Sequence, residues 1–209
     1  MQGKARIGLA IGTVIFGCGV GVAAAYMFDL FPDSSRNAAA SREGGPGGPF
    51  NLTAHTGELV SDTDFHGRYT LVFFGFTFCP DICPTTLADM ATVMDRLGDD
   101  AAAVQPLFVT VDPERDTPEQ LAAYVAAFDD RIVGLTGSAA EIETIADAYG
   151  VYYEVAPDEV DPEFYLINHT AGVYFMDQQG RFVRVFSSQT PADEMVESIR
   201  AVMQEDAAG

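Results

Sequence analysis

The spacing of apolar residues divides the chain before any single residue is considered. Residues 7–28 run for 22 positions without a charge, long enough for a helix to cross a bilayer. Residues 29–49 show no period. Their Ser, Ala and Gly, closing on Gly44-Gly45-Pro46-Gly47-Gly48-Pro49, bury too little apolar surface to fold and predict a flexible tether. From Phe50 the pattern turns globular. Residues 69–76 form a near-continuous apolar run, as expected of a strand covered on both faces, and 107–111 repeat it. Between them Leu87, Met90, Met94 and Leu97 recur at helical spacing, and Gly98 predicts the helix end. Leu121, Tyr124, Val125 and Phe128 mark a second helix. Thr117-Pro118-Glu119-Gln120 opens it, combining a capping box with proline at the first helical position. Ile142, Ile145, Ala146 and Tyr149 mark a third, opened by the box from Ser138 to Glu141.

The rest of the domain is richer in strands. Residues 152–156, 164–167 and 173–176 read as strands, with an acidic loop over 157–163 and Asn168-His169-Thr170 between the last two. Residues 177–180 form the turn of a hairpin returning along 181–186. Thr190-Pro191 starts a final helix with Met195, Ile199 and Val202 inward. Ahead of all this, 51–65 predicts short irregular or hairpin strands, and His66-Gly67-Arg68 a turn. The order is strand–helix–strand–helix–strand–helix, then a hairpin and a helix. It predicts an α/β fold whose central sheet is flanked by helices.

Charge narrows the partners. The 31 acidic and 11 basic residues give a formal net charge of −20. Such a surface repels nucleic acid and anionic headgroups. It serves solubility, or an electrostatic match to a basic partner or to cations. Lys4 and Arg6 precede the apolar N-terminal stretch, which predicts that Met1 stays in the cytoplasm while the bulk is exported. The expected organisation is a membrane anchor over 1–28, a flexible linker over 29–49 and one domain over 50–209. Ala23-Ala24-Ala25 offers a rival reading as a peptidase site. Cys18 fits a lipidation site poorly, because the residues after it stay apolar. Every reading delivers the domain outside the cytoplasm.

Candidate chemistry concentrates in Gly75-Phe76-Thr77-Phe78-Cys79-Pro80-Asp81-Ile82-Cys83-Pro84, which ends the first apolar run and opens the first helix. A cysteine pair in that place is the thioredoxin-like arrangement. Cys83 is expected near the helix N-terminus, where the dipole and free N–H groups favour a thiolate. The loop between the sulfurs is too short for a disulfide there to be a useful staple. A redox dithiol or a soft-metal clamp is the better reading, and the spacing alone leaves both open. His169 is the candidate third ligand. Thioredoxins place a proline before their penultimate strand, facing the active cysteines, and this chain offers Asn168-His169-Thr170 instead. Two thiolates and an imidazole suit Cu(I), and also serve Zn(II) or Cu(II). His55 and His66 read as surface residues, and Asp81 as a loop cap. Reactive groups in such sheets gather at the C-terminal strand ends. Asp112, in Val111-Asp112-Pro113-Glu114-Arg115-Asp116, is therefore expected near the sulfurs, with an Arg–Asp pair holding that loop.

With these residues laid out, the sequence resembles the Sco/SenC family of membrane-anchored copper-handling proteins. The motifs carrying the resemblance are G-F-T-F-C-P-D-I-C-P at 75–84, V-D-P-E-R-D-T-P at 111–118 and N-H-T at 168–170. The resemblance implies a thioredoxin-like fold that binds Cu(I), and in some states Cu(II), through Cys79, Cys83 and His169. It implies a bacterial-type inner-membrane location with the soluble domain in the periplasm, a periplasmic copper donor, and delivery to the CuA centre of cytochrome c oxidase subunit II. Some family members act mainly as thiol-disulfide reductants of that subunit, a role in which Cys79 and Cys83 would be the catalytic dithiol. A third idea is a thiol peroxidase related to peroxiredoxins. Asn168 stands where the family more often has Asp, which lowers the expected preference for Cu(II).

Overall fold

The computed structural model describes residues 44–157 and 165–208. The predicted anchor and linker up to residue 43, and residues 158–164 of the acidic loop, lie outside them. Among the described residues, no helix is long and apolar enough to cross a membrane.

The two apolar runs become the parallel pair at the centre of the domain. Strand β3 (Tyr69–Gly75) is preceded by β1 (Asn51–Ala54) and β2 (Leu59–Ser61), and is followed by helix α1 (Ile82–Leu97) and β4 (Val104–Thr110). Every residue of β3 and β4 is buried, and the two run parallel in register from Tyr69 opposite Val104 to Gly75 opposite Thr110. Strand β4 starts three residues earlier than its apolar run suggested. Pro106 lies just ahead of the stretch that pairs with the next strand, an edge-like position where proline is tolerated. Helix α2 (Pro118–Ala126) leads into β5 (Val133–Thr136), and α3 (Ala139–Tyr149) follows. Both helices begin at the predicted caps. The Thr117 hydroxyl accepts from the Gln120 N–H, and Ser138 and Glu141 form a reciprocal box.

Strands β6 (Tyr153–Pro157) and β7 (Tyr165–His169) come next, then β8 (Gly172–Met176), β9 (Phe182–Ser187) and helix α4 (Ala192–Ala208). The main sheet has seven strands in the order β2-β1-β5-β4-β3-β8-β9, while β6 and β7 pair only with each other. This is the α/β arrangement that the element order predicted, with β8 and β9 closing one edge as an antiparallel hairpin. Its turn is built on Asp177, which accepts N–H bonds from Gln179 and Arg181, both at 2.9 Å. Gly180 there takes a positive φ of 73°, a conformation glycine adopts without a Cβ penalty. Phe73, Phe74, Phe76, Phe108, Phe175 and Phe186 are fully buried. Each large apolar side chain so removed from water contributes about 1.5–3 kcal/mol. Contacts reach back ahead of Phe50, where the Gly47 N–H donates to the Ala148 carbonyl at 2.8 Å.

Candidate metal centre

At its C-terminal end β3 passes directly beneath a sulfur. A Cβ on Gly75 would meet Cys83 Sγ and the Phe108 ring, each at 2.8 Å, so only glycine fits. The Gly75 carbonyl accepts from Val111 N–H at 2.8 Å, which binds the two motif-bearing loops together. The chain then turns through Phe76–Asp81 and enters α1. Asp81 occupies the N-cap position but its side chain makes no cap bond. Cys79 Sγ does that work, accepting the Cys83 N–H at 3.4 Å, one of the donors a helix start leaves without a partner. Pro84, in the same turn, has no N–H to satisfy.

Both cysteines are buried and unbridged. The Cys79 thiol is drawn down to about 4, chiefly because Cys83 donates to it. Burial opposes the shift, while His169 and the N–H groups of Asp81 and Cys83 reinforce it. The Cys83 thiol is pushed up, first by being the donor to Cys79 and then by burial. The expected thiolate at Cys83 is therefore corrected. The helix start stabilises the anion of Cys79, whose sulfur receives the N–H groups, and Cys83 keeps its proton.

His169 comes from the end of β7. Its Nε2 lies 3.5 Å from Cys83 Sγ, and its Nδ1 lies 3.2 Å from the Thr170 carbonyl. A carbonyl only accepts, so Nδ1 carries a hydrogen, and Nε2 is the ring nitrogen that faces the sulfurs. The rings of Phe76 and Phe73 meet the imidazole edge-on at 5.9 and 6.2 Å. The ligand atoms of Cys79, Cys83 and His169 lie within 4.8 Å of one another. A soft set of two buried sulfurs and one half-buried imidazole nitrogen fits a thiophilic ion such as Cu(I). Among the described residues, this is the one cluster of metal-ligating side chains with that spacing.

Two carboxylates need separating. Asp112 forms with Arg115 the Arg–Asp pair expected in that loop, and it also accepts the Tyr165 hydroxyl. The carboxylate whose field reaches Cys83 is Asp116. It is fully buried and accepts the Thr77 N–H at 3.0 Å and the Thr77 and Thr110 hydroxyls at 2.6 Å each. Burial nevertheless holds its acid form favoured relative to a free carboxylate. The signal for Asp116 was Thr77 in one motif and Asp116 in the other, a donor and an acceptor at adjacent strand ends. Sequence reading also passed over Tyr124 as anything but core. Its phenol is pushed up by burial and by the nearby cysteines. His55 and His66 lie elsewhere. His55 Nδ1 accepts the Gly134 N–H at 3.0 Å and ties β1 to β5, and His66 faces Asp62 at 3.8 Å.

The chain matches the SCO1/SenC family model over residues 38–204. It is 42% identical over 160 residues to "Protein SCO1 homolog, mitochondrial" of Homo sapiens, covering 76% of this chain and 53% of that protein. The chain thus spans about half the length of its human relative. Among solved structures it is similar to Arabidopsis thaliana ScoI with copper bound, with a TM-score of 0.71, 36% identity and coverage of 76% of this chain and 98% of that one. It is likewise similar to Bradyrhizobium japonicum ScoI with copper bound, with a TM-score of 0.70, 41% identity and coverage of 75% and 98%. Sequence match and fold agree, and the chain belongs to the SCO1/SenC family.

Proposed function

We propose that this domain is a copper chaperone that holds Cu(I) between Cys79, Cys83 and His169 and hands it to the CuA centre of cytochrome c oxidase subunit II. The observation that carries this reading is the convergence of His169 Nε2, 86 residues further along the chain than Cys83, on the Cys79–Cys83 sulfur pair. Copper in two related structures supports the choice of ion. The cargo enters a site in which Cys79 is already anionic, so that only Cys83 has a proton to release on binding. Release proceeds by exchange, as thiolates and imidazoles of the acceptor replace those of the donor one at a time. A single-pass anchor over 1–28 and a linker over 29–49 hold the domain on the periplasmic face of the inner membrane, within reach of a membrane-embedded acceptor. A periplasmic copper donor loads it there.

A second reading is supported by the unbridged dithiol and the low-lying Cys79 thiol. In a thiol-disulfide reductase, the Cys79 thiolate attacks a disulfide of the acceptor subunit and forms a mixed disulfide. Cys83 then loses its proton and displaces the second acceptor thiolate, leaving Cys79–Cys83 oxidised and the acceptor reduced by two electrons. That chemistry gives His169 no essential part.

Copper titration of the reduced full chain separates the two. The chaperone reading expects one Cu(I) per chain, loss of binding in Cys79→Ala and Cys83→Ala, and weakened binding in His169→Ala. Unchanged affinity in His169→Ala, with oxidase assembly intact, favours the reductase.

A further inference from the structure

We propose that Asp112, Arg115 and Tyr165 form a latch that holds the His169-bearing hairpin against the cysteine loop, which makes Arg115 and Tyr165 positioning residues for the imidazole; its consequence for copper rests on the three-ligand reading above. The need for such a device follows from the topology. Among the described residues, β6 and β7 pair only with each other and not with the main sheet, and a lone two-stranded ribbon is marginally stable at best. Something else must fix His169.

Side chains alternate along a strand, so Tyr165, Ile167 and His169 of β7 share one face. At one end of that face the imidazole meets Phe73 and Phe76. In the middle Ile167 is buried. At the other end the Tyr165 hydroxyl donates to Asp112 Oδ1 at 2.8 Å, and the Tyr165 carbonyl accepts from Arg115 Nη1 at 3.0 Å. Arg115 Nε closes the ring on Asp112 Oδ2 at 2.5 Å. The guanidinium lies 3.6 Å from the Tyr165 ring centroid, 4.8 Å from that of Phe78 and 5.9 Å from that of Phe76. One cation therefore touches the residue next to Cys79, the strand that ends at His169, and a ring that also packs on that imidazole.

These side chains are not needed to shape their own loop. The turn from Asp112 to Asp116 is closed by backbone bonds from Arg115 and Asp116 N–H to the Asp112 carbonyl. The reach of Arg115 across to Tyr165 is additional, and it is partly buried. Asp112 is 3% exposed and Arg115 19%, so the pair is little weakened by solvent. A guanidinium is suited to the task because it can hydrogen-bond in its plane and stack on its face at once, which lysine cannot do.

The test uses the full-length chain in detergent with its histidines carbon-13 labelled, which gives signals from only 3 side chains. In the metal-free reduced protein, the ring signals of His169 should be displaced by the neighbouring Phe73 and Phe76 rings. In Arg115→Met and in Tyr165→Phe they should move toward the positions of a solvent-exposed histidine, while His55 signals stay put. Tyr165→Phe, which removes one oxygen, keeps the test alive if Arg115→Met does not fold. With Cu(I), Arg115→Met should lower affinity about 10–100-fold, the range seen when a partner that orients a metal ligand is removed. The same substitution in a His169→Ala background should have no further effect. His169 signals unmoved in both variants overturn the latch, and so does an undiminished loss in the His169→Ala background. If His169→Ala binds copper as tightly as the parent, the three-ligand reading falls. The ring signals then still decide whether the latch holds the imidazole.

Discussion

The two halves of the metal centre are held in opposite ways. Cys79 and Cys83 sit where the parallel core strand β3 meets α1, on a strand with all seven residues buried and beside a helix packed on the core. His169 ends a two-stranded ribbon in which Val155 of β6 and Leu166 of β7 are 51% and 45% exposed. Two ligands thus belong to the most rigid part of the molecule, and the third to a part joined to it by a few side-chain contacts. In the copper carrier proposed above this division has a use. A rigid sulfur pair keeps the site assembled without cargo, while a ligand on a peripheral element can leave first and open a coordination position to an acceptor.

The largest effect should come from damage to the rigid half. Phe73→Ala empties a fully buried position in β3 and removes a ring that packs on His169. It should cost about 3–5 kcal/mol of stability, measured as a shift in chemical denaturation of the reduced protein. A smaller effect sharpens the comparison inside the rigid half itself. With Cys79 drawn down to about 4, its thiolate is present from pH 5 upward and is lost only as pH falls through that value. Alkylation of reduced, metal-free Cys79 should therefore be nearly flat between pH 6 and 8, where an ordinary thiol gains about tenfold per unit. Cys83, pushed up, should react far more slowly at both. Mass spectrometry of the modified peptides separates the two sites. The smallest effect belongs to the ribbon. Leu166→Ser changes a half-exposed residue on its outer face and should alter global stability by less than about 0.5 kcal/mol by the same denaturation measurement.

Much of the rigid half was legible because its signals are local. The apolar runs of β3 and β4, the helical stripes of α1 to α3, and the caps at Thr117 and Ser138 each depend on residues within a few positions of one another. Other features depend on who the neighbour is, which periodicity does not encode. Strand β5 was implied by the order of elements but not located, since Val133-Gly134-Leu135-Thr136 is short and broken by a glycine that lets α2 approach. Strands β6 and β7 were readable as strands, but not as a ribbon apart from the main sheet. The thiolate was assigned to the wrong cysteine because helix position was weighed without asking which sulfur the N–H groups point at. Asp112 and Asp116 follow the same strand, and only the hydroxyls of Thr77 and Thr110 single out Asp116 as the carboxylate acting on Cys83. His169 was found through its place before the β8–β9 hairpin together with the family resemblance, neither of which is a pattern in its own immediate sequence.

X-ray absorption at the copper edge of the Cu(I)-loaded full chain tests the central claim most directly, because it counts the atoms bound to the ion. The account predicts two sulfur neighbours and one nitrogen, with the nitrogen absent in His169→Ala. A spectrum with sulfur neighbours alone, the same in the parent and in His169→Ala, would contradict it.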